Sequence, residues 1–182
     1  HHPERWPKLA KVLMPKDYIN FMLTGALATD YSEASCYFLM DSETRAWSSQ
    51  ACETFGLRVD QLPELKLSSD IIGQVTPRAS DTTGLPVGIP VVAGTSDMAA
   101  SLLGSGVYEP GMASDSTGTS TLITVVSQRP LRHPLVNNLH LANAAWGGFT
   151  ILDAGGDAVR WARLALADNQ ITHPQLLQEA AA

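Results

Sequence analysis

The run Val91-Val-Ala-Gly-Thr-Ser-Asp97-Met-Ala-Ala-Ser-Leu-Leu-Gly104 changes its periodicity half-way, and that change decides the fold. The first half is apolar and follows Gly88-Ile-Pro90. Proline has no backbone donor, so Pro90 suits the first residue of a strand. Gly94-Thr-Ser breaks the run, and apolar residues then recur at helical spacing. Ser96 is a good N-cap, and Asp97 falls in the first helical turn, where the helix dipole favours an acid. Gly104 or Gly106 stops the helix. The stretch predicts a buried strand, a glycine turn and a helix, with a carboxylate at the carboxyl end of the strand. In open α/β sheets that edge is where ligands bind. Read locally, Asp97 is also accounted for as a capping acid without chemistry.

Upstream of this stretch the chain reads as mostly helical. Residues 3–13 place Trp6, Leu9, Ala10 and Leu13 at helical spacing. A second helix runs from Pro15, suited to the first helical position, to Gly25 at the C′ position. Its expected apolar face is Tyr18, Ile19, Met22 and Leu23. Ala28-Thr-Asp-Tyr-Ser-Glu-Ala-Ser35 is rich in side chains that bond backbone groups, which suits a turn or helix cap. Trp47 to Phe55 is a short helix stopped by Gly56, Leu57 to Leu67 a loop around Pro63, Ile71 to Thr76 a strand, and Pro77 to Thr83 a helical turn closed by Gly84.

Downstream, Gly106-Val-Tyr-Glu-Pro-Gly111 is a turn-rich crossing and the expected domain boundary. Met112 to Val126 reads as a hairpin turning at Thr117-Gly118-Thr119, its second arm rich in Thr, Val and Ile. Ala142 to Trp146 and Phe149 to Leu152 read as strands around Gly147-Gly148. Asp153-Ala-Gly-Gly-Asp157 opens a helix through Ala167, with Ala158, Ala162 and Ala165 as a close-packing face beside Trp161. Thr172 to Ala182 begins a further helix.

Composition narrows the function classes. The 182 residues carry a net charge of −6 with no basic run, which argues against nucleic-acid binding. Hydrophobic residues make up 45%, enough for a core, and no apolar run reaches the ~18 residues of a membrane-spanning helix. Charged residues are 16%, below the usual quarter. His1-His-Pro-Glu-Arg-Trp6 is neither a signal peptide nor an initiator sequence, so the chain is expected to be a segment of something longer. Cys36 and Cys52 lie in no CxxC pair and read as reduced thiols of a cytoplasmic protein.

Few motifs carry chemistry by themselves. Thr117-Gly-Thr-Ser120 gathers hydroxyls and a glycine in one turn that can aim N–H and O–H groups at a phosphate, though polar hairpin tips share that composition. The sequence holds no Gly-x-x-x-x-Gly-Lys-Ser/Thr run, no Gly-x-Ser-x-Gly elbow and no His-Glu-x-x-His, so P-loop, hydrolase-triad and zinc readings lack support. No metal ligand is expected. His133, His140 and His173 are isolated and read as surface or core-edge residues.

The order of motifs is more specific than any one of them. Lys16-Asp-Tyr, Leu-Thr-Gly25, Thr29-Asp-Tyr-Ser, Ala34-Ser35, Leu62-Pro63, Ile72-Gly, Val75-Thr76, Thr83-Gly-Leu-Pro, Gly88-Ile-Pro-Val, Gly94-x-x-Asp97, Gly104-x-Gly106 and Gly118-Thr-Ser120 follow in succession. This succession, from about Trp6 to Leu166, resembles the FGGY family of carbohydrate kinases, and within it the xylulokinase branch.

The resemblance implies an α/β fold of the actin-like (ribonuclease H-like) type, with two domains and a cleft between them. Residues 1–106 would be the later part of the sugar-binding domain, and residues 111–182 the early part of the nucleotide-binding domain. It implies transfer of the ATP γ-phosphoryl group to a sugar or polyol hydroxyl, with Mg²⁺. Asp97 matches the family's catalytic aspartate, with Ser96 and Asp97 at the substrate; such a base need not be strong, because phosphoryl transfer is mostly positioning and charge neutralisation. Gly118, Thr119 and Ser120 match the second phosphate loop, and Gly155 and Gly156 lie where the second domain approaches nucleotide. Gly94-Thr95-Ser96 departs from the branch's glycine-rich approach to the aspartate, placing two hydroxyls beside the base. The family's first phosphate loop and adenosine segment have no counterpart here, so the segment alone is expected to turn over poorly. The expected partner is a small sugar or polyol, with no nucleic acid and no membrane, in a cytoplasmic protein for which the resemblance allows a homodimer. A non-catalytic binding module and a partner-regulated ATPase of the same superfamily are the competing readings.

Overall fold

The structure is a computed structural model that describes residues 3–166 and 171–181. Helices α1 (Pro15–Thr24), α2 (Tyr31–Cys36), α3 (Ser49–Thr54) and α4 (Pro77–Thr83) surround two short strand pairs. Strand β1 (Ala28–Asp30) runs parallel to β2 (Glu64–Lys66), and β3 (Ile71–Gln74) runs antiparallel to β4 (Pro90–Val92). Helix α5 (Asp97–Gly104) follows β4. Next come β5 (Ala113–Thr117), β6 (Thr121–Ser127), β7 (Asn137–His140) and β8 (Trp146–Leu152), an antiparallel sheet in the order β5-β6-β8-β7. Helices α6 (Gly155–Leu166) and α7 (His173–Ala180) close the chain.

The main core crosses the turn at 106–111. Ala99 and Leu102 of α5 pack with Val126, Leu139, Leu141 and Ala145 beyond it. Gly147 makes this approach possible: a Cβ there would stand 3.2 Å from Thr124 Cγ2 and 3.7 Å from Leu102 Cδ1. Helix α2 lies against β7, and the His140 N–H donates to Ser35 Oγ at 3.2 Å. A smaller cluster, Leu39, Cys52 and Leu62, sits under α3, where Trp47 Nε1 donates to the Pro63 carbonyl at 2.8 Å.

The junction at Asp97 forms as its sequence predicts. Ser96 caps α5, accepting from the Ala99 N–H at 3.4 Å, and Gly106, with φ of 78°, ends it. Thr76 caps α4 and Gly84 ends it in the left-handed conformation.

Other expectations are corrected. Strand β4 is short and largely exposed rather than buried, because it is one arm of a two-stranded ribbon. The first helix is only a 3-10 turn over Pro3–Lys8; after it the Gln61 side chain donates to the Leu9 carbonyl and the Val12 N–H donates to the Gln61 carbonyl. Residues 57–67 are not all loop: Val59–Gln61 is a 3-10 turn, and Glu64–Lys66 is the strand that β1 needs as a partner.

Helix α1 turns the opposite face inward: Asp17 and Asn20 are buried, while Tyr18, Ile19 and Met22 are exposed. Gly147 and Gly148 lie inside β8, and Ala142 to Ala145 form a turn after β7 instead of a strand. A Cβ at Gly148 would press on Leu131, which explains glycine in a strand interior. On α6 the alanine face is not packed, since Ala158 and Ala165 are exposed. His140 is a core residue, not a core-edge one. The expected helix end at Ala167, and Ala182 of the last helix, lie outside the described residues.

Candidate active site

Asp97 is exposed at the first position of α5. The Met98 N–H donates to its Oδ1 at 2.6 Å, so the carboxylate is tied to the helix end that favours negative charge. It opens on a cleft of about 640 Å³. One wall is α5 and its C-cap, with Asp97, Met98, Ser101 and Ser105; the other is the β5–β6 hairpin, with Ser114, Asp115, Ser116 and Thr124. The cleft therefore sets a carboxylate on a helix N-terminus against a hydroxyl-rich strand that carries a second carboxylate. Asp115, whose Oδ1 accepts from Thr117 Oγ1 at 2.7 Å, was not singled out from its sequence context. The signal available was its place in Ser114-Asp-Ser116, immediately before the Thr-Gly turn.

The Ser96 hydroxyl is buried and engaged as the helix cap. Thr95 Oγ1 lies 2.7 Å from Ser32 Oγ. Both hydroxyls that precede Asp97 are thus turned toward the protein, and the Ser96 main chain is engaged as well, its N–H donating to Ser32 Oγ at 2.8 Å and its carbonyl accepting from the Ala100 N–H at 2.9 Å.

Gly118, Thr119 and Ser120 form the exposed tip between β5 and β6. The structure brings Gly155 and Gly156, at the start of α6, directly against this tip. The Gly156 N–H donates to the Gly118 carbonyl at 2.8 Å, and the Asp157 N–H donates to the Thr119 carbonyl at 3.2 Å. A Cβ on Gly155 would stand 2.8 Å from the Thr121 nitrogen, and one on Gly156 would overlap the Gly118 oxygen. Only glycine permits the helix end to sit this close. The tip does not itself line the Asp97 cleft, which reaches the loop through Ser114–Ser116 of β5.

A further concavity of about 550 Å³, lined by Arg45, Arg129, Arg132 and Glu43 among others, contains none of the residues singled out from the sequence. Among the described residues, no histidine lines the Asp97 cleft. His140 is packed between Tyr31 and Trp146, with ring centroids 5.3 and 5.0 Å away. Burial, reinforced by the Arg45 charge, pushes its imidazole down to about 4. Cys36 and Cys52 are unpaired thiols, and burial pushes Cys36 up to about 11. Among the described residues no helix is long and apolar enough to cross a membrane, and no group of three or more His, Cys, Asp and Glu is arranged to hold a metal ion.

A family profile described as the FGGY family of carbohydrate kinases, N-terminal domain, matches residues 1–104. The chain belongs to the FGGY family of carbohydrate kinases. It is 31% identical to the xylulose kinase of Bacillus subtilis (strain 168) over 182 residues, covering 98% of this chain and 36% of that protein. It is 32% identical over 166 residues to the autoinducer-2 kinase of Yersinia enterocolitica, covering 90% of this chain and 31% of that protein. Its fold superposes on the crystal structure of a xyloylose kinase from Brucella ovis with a TM-score of 0.87 at 26% identity, over 98% of this chain and 37% of that one. The FGGY chain described here thus spans about a third of the length of the relatives it matches, with the α/β architecture of the FGGY sugar kinases, the actin-like fold.

Proposed function

We propose that the whole protein of which this FGGY chain forms part is an ATP-dependent sugar or polyol kinase of the xylulose kinase type. The observation that carries the reading is the position of Asp97: an exposed carboxylate at a helix N-terminus, opening on a cleft whose far wall runs into the Gly118–Ser120 turn. Relatives named as xylulose kinases support the acceptor class.

Asp97 serves as the base. It orients the acceptor hydroxyl and takes its proton as the bond to phosphorus forms; positioning supplies most of the acceleration in such transfers. The turn at Gly118, Thr119 and Ser120, backed by Gly155 and Gly156, holds the ATP phosphates. Residues 1–106 form the sugar side and 111–182 the nucleotide side, with α5 packed into the sheet beyond the boundary and acting as the joint.

Mg²⁺ usually binds through one or two carboxylates plus phosphates rather than in an all-protein cage, and Asp115 on the facing wall of the cleft would be the carboxylate to hold it, leaving Asp97 free as the base. Bound with ATP, the ion would supply neutralisation of phosphate charge. Free thiols fit a cytoplasmic location. A homodimer that needs neither nucleic acid nor membrane completes the reading.

The test is ADP release by the full-length gene product, measured with a panel of ketopentoses, polyols and sugar acids. Stimulation by one of them supports the kinase and identifies its acceptor. Release that no sugar stimulates would return the protein to the ATPase reading, and no release at all to the binding module.

A further inference from the structure

The main chain of the turn before Asp97 is held, group by group, by a buried polar cluster on α1 and α2. Lys16 Nζ and Asn20 Nδ2 both donate to the Ala93 carbonyl, at 2.9 and 2.8 Å. The Gly94 N–H donates to the Ser68 carbonyl at 3.0 Å. The Ser96 N–H donates to Ser32 Oγ at 2.8 Å, and Thr95 Oγ1 meets the same oxygen at 2.7 Å. Gly94 is left-handed, with φ of 76°, and packs on the Lys16 side chain; a Cβ there would lie 3.6 Å from its Cδ.

The cluster has a definite polarity. Asp30 has no exposed surface, and its Oδ2 accepts from Ser32 Oγ at 2.6 Å, Ser68 Oγ at 2.8 Å and the Ser32 N–H at 3.0 Å. Its Oδ1 accepts from the Glu33 N–H at 3.2 Å and lies 3.4 Å from Lys16 Nζ. Lys16 also pairs with Asp17 at 2.8 Å. A serine hydroxyl has one proton and two lone pairs. The proton of Ser32 goes to Asp30, so its lone pairs take the Ser96 N–H and the Thr95 hydroxyl, and Thr95 is the donor. Acceptance by Asp30 thus sets the direction of the Ser32–Thr95 hydroxyl bond, next to the residue preceding Asp97.

We propose that Ser32, oriented by Asp30 and Lys16, is a positioning residue for the Asp97 carboxylate. It touches neither substrate nor the reacting atoms. Its single oxygen fixes the Thr95–Ser96 peptide, and with it the start of α5 and the direction in which Asp97 enters the cleft. The inference rests on Asp97 acting as the base. Misplacement of a reacting group by about 1 Å costs up to about 100-fold in rate without weakening binding, so the signature is a loss in kcat alone.

The experiment compares Ser32→Ala, Thr95→Val and Asp97→Asn in the full-length product, with kcat and the KM values for ATP and sugar measured for each. Ser32→Ala is expected to lower kcat about 10- to 100-fold with both KM values within about twofold, and Thr95→Val to lower it less, in the same manner. If Ser32→Ala is not recovered folded, Thr95→Val decides by the same split. An unchanged kcat, or a loss shared by both KM values, overturns the positioning role even where Asp97→Asn abolishes turnover. If Asp97→Asn retains the parent's turnover, the base reading itself fails and the positioning role falls with it.

Discussion

Lys16 is the cation set against two fully buried carboxylates, Asp17 and Asp30. Removing one partner of a buried ion pair strands the other without water, which costs about 3–5 kcal/mol. Lys16→Met, which keeps much of the stem and loses the charge, is therefore expected to lower the urea-unfolding free energy of the full-length product by about that amount. A loss below about 1 kcal/mol, the range of exposed pairs, would contradict the buried role. His140 makes a different prediction. Its imidazole titrates near 4 in the fold, against an ordinary value of 6.5, so folding favours the neutral ring. The unfolded chain then binds the extra proton between those values, and the associated stability is fully present above about pH 6.5 and is lost as pH falls toward 4. The slope contributed approaches about 1.4 kcal/mol per pH unit. Urea midpoints taken from pH 7.5 to pH 4.5 should fall less steeply in His140→Phe than in the parent; equal steepness would remove His140 from the account. The subtraction matters because Glu33, pushed up chiefly by burial, works in the opposite direction.

Among the elements, α6 depends most on residues without side chains. Its first turn rests on the Gly118–Ser120 tip, and a methyl group at Gly156 would overlap the Gly118 oxygen. Gly156→Ala is expected to raise the KM for ATP about 10-fold or more while leaving the KM for sugar within about twofold, since the change is confined to the part of the chain proposed to hold the nucleotide. Equal changes in both constants, or none, would detach this contact from phosphate binding. Helix α5 is legible in the sequence because capping, dipole and glycine stop all act within a few residues of Asp97. Helix α1 is legible in extent, from Pro15 to Gly25, but not in orientation. Its apolar residues are more numerous on one face, yet the opposite face holds Asp17 and Asn20, spaced three apart, whose partners Tyr37 and Ala93 come from distant parts of the chain. Only tertiary structure supplies those partners. Strands β1 and β2 stay hidden for the same reason: three residues each hold too little periodicity, and their pairing spans the chain from Ala28 to Glu64. Asp97 and the Gly118 turn could thus be marked from sequence, whereas Asp115, Ser32 and Asp30 acquire their places only when the walls of the cleft and the buried cluster come together.

At the scale of the molecule, one core joins the region carrying Asp97 to the region carrying the Gly118 turn, with α5 as the shared member. The carboxylate and the turn-bearing hairpin stand on opposite sides of one cleft, the arrangement that the proposed transfer from donor to acceptor requires. The chain spans about a third of its relatives, so the chemistry is to be sought in the full-length protein. The decisive measurement is steady-state kinetics of Asp97→Asn in that protein, using the sugar that best stimulates the parent. The account predicts a fall in kcat of at least about 100-fold, beyond the range of simple misplacement, with the KM for ATP nearly unchanged. A variant that keeps the parent's kcat would show that Asp97 only caps a helix, and the cleft would no longer be an active site.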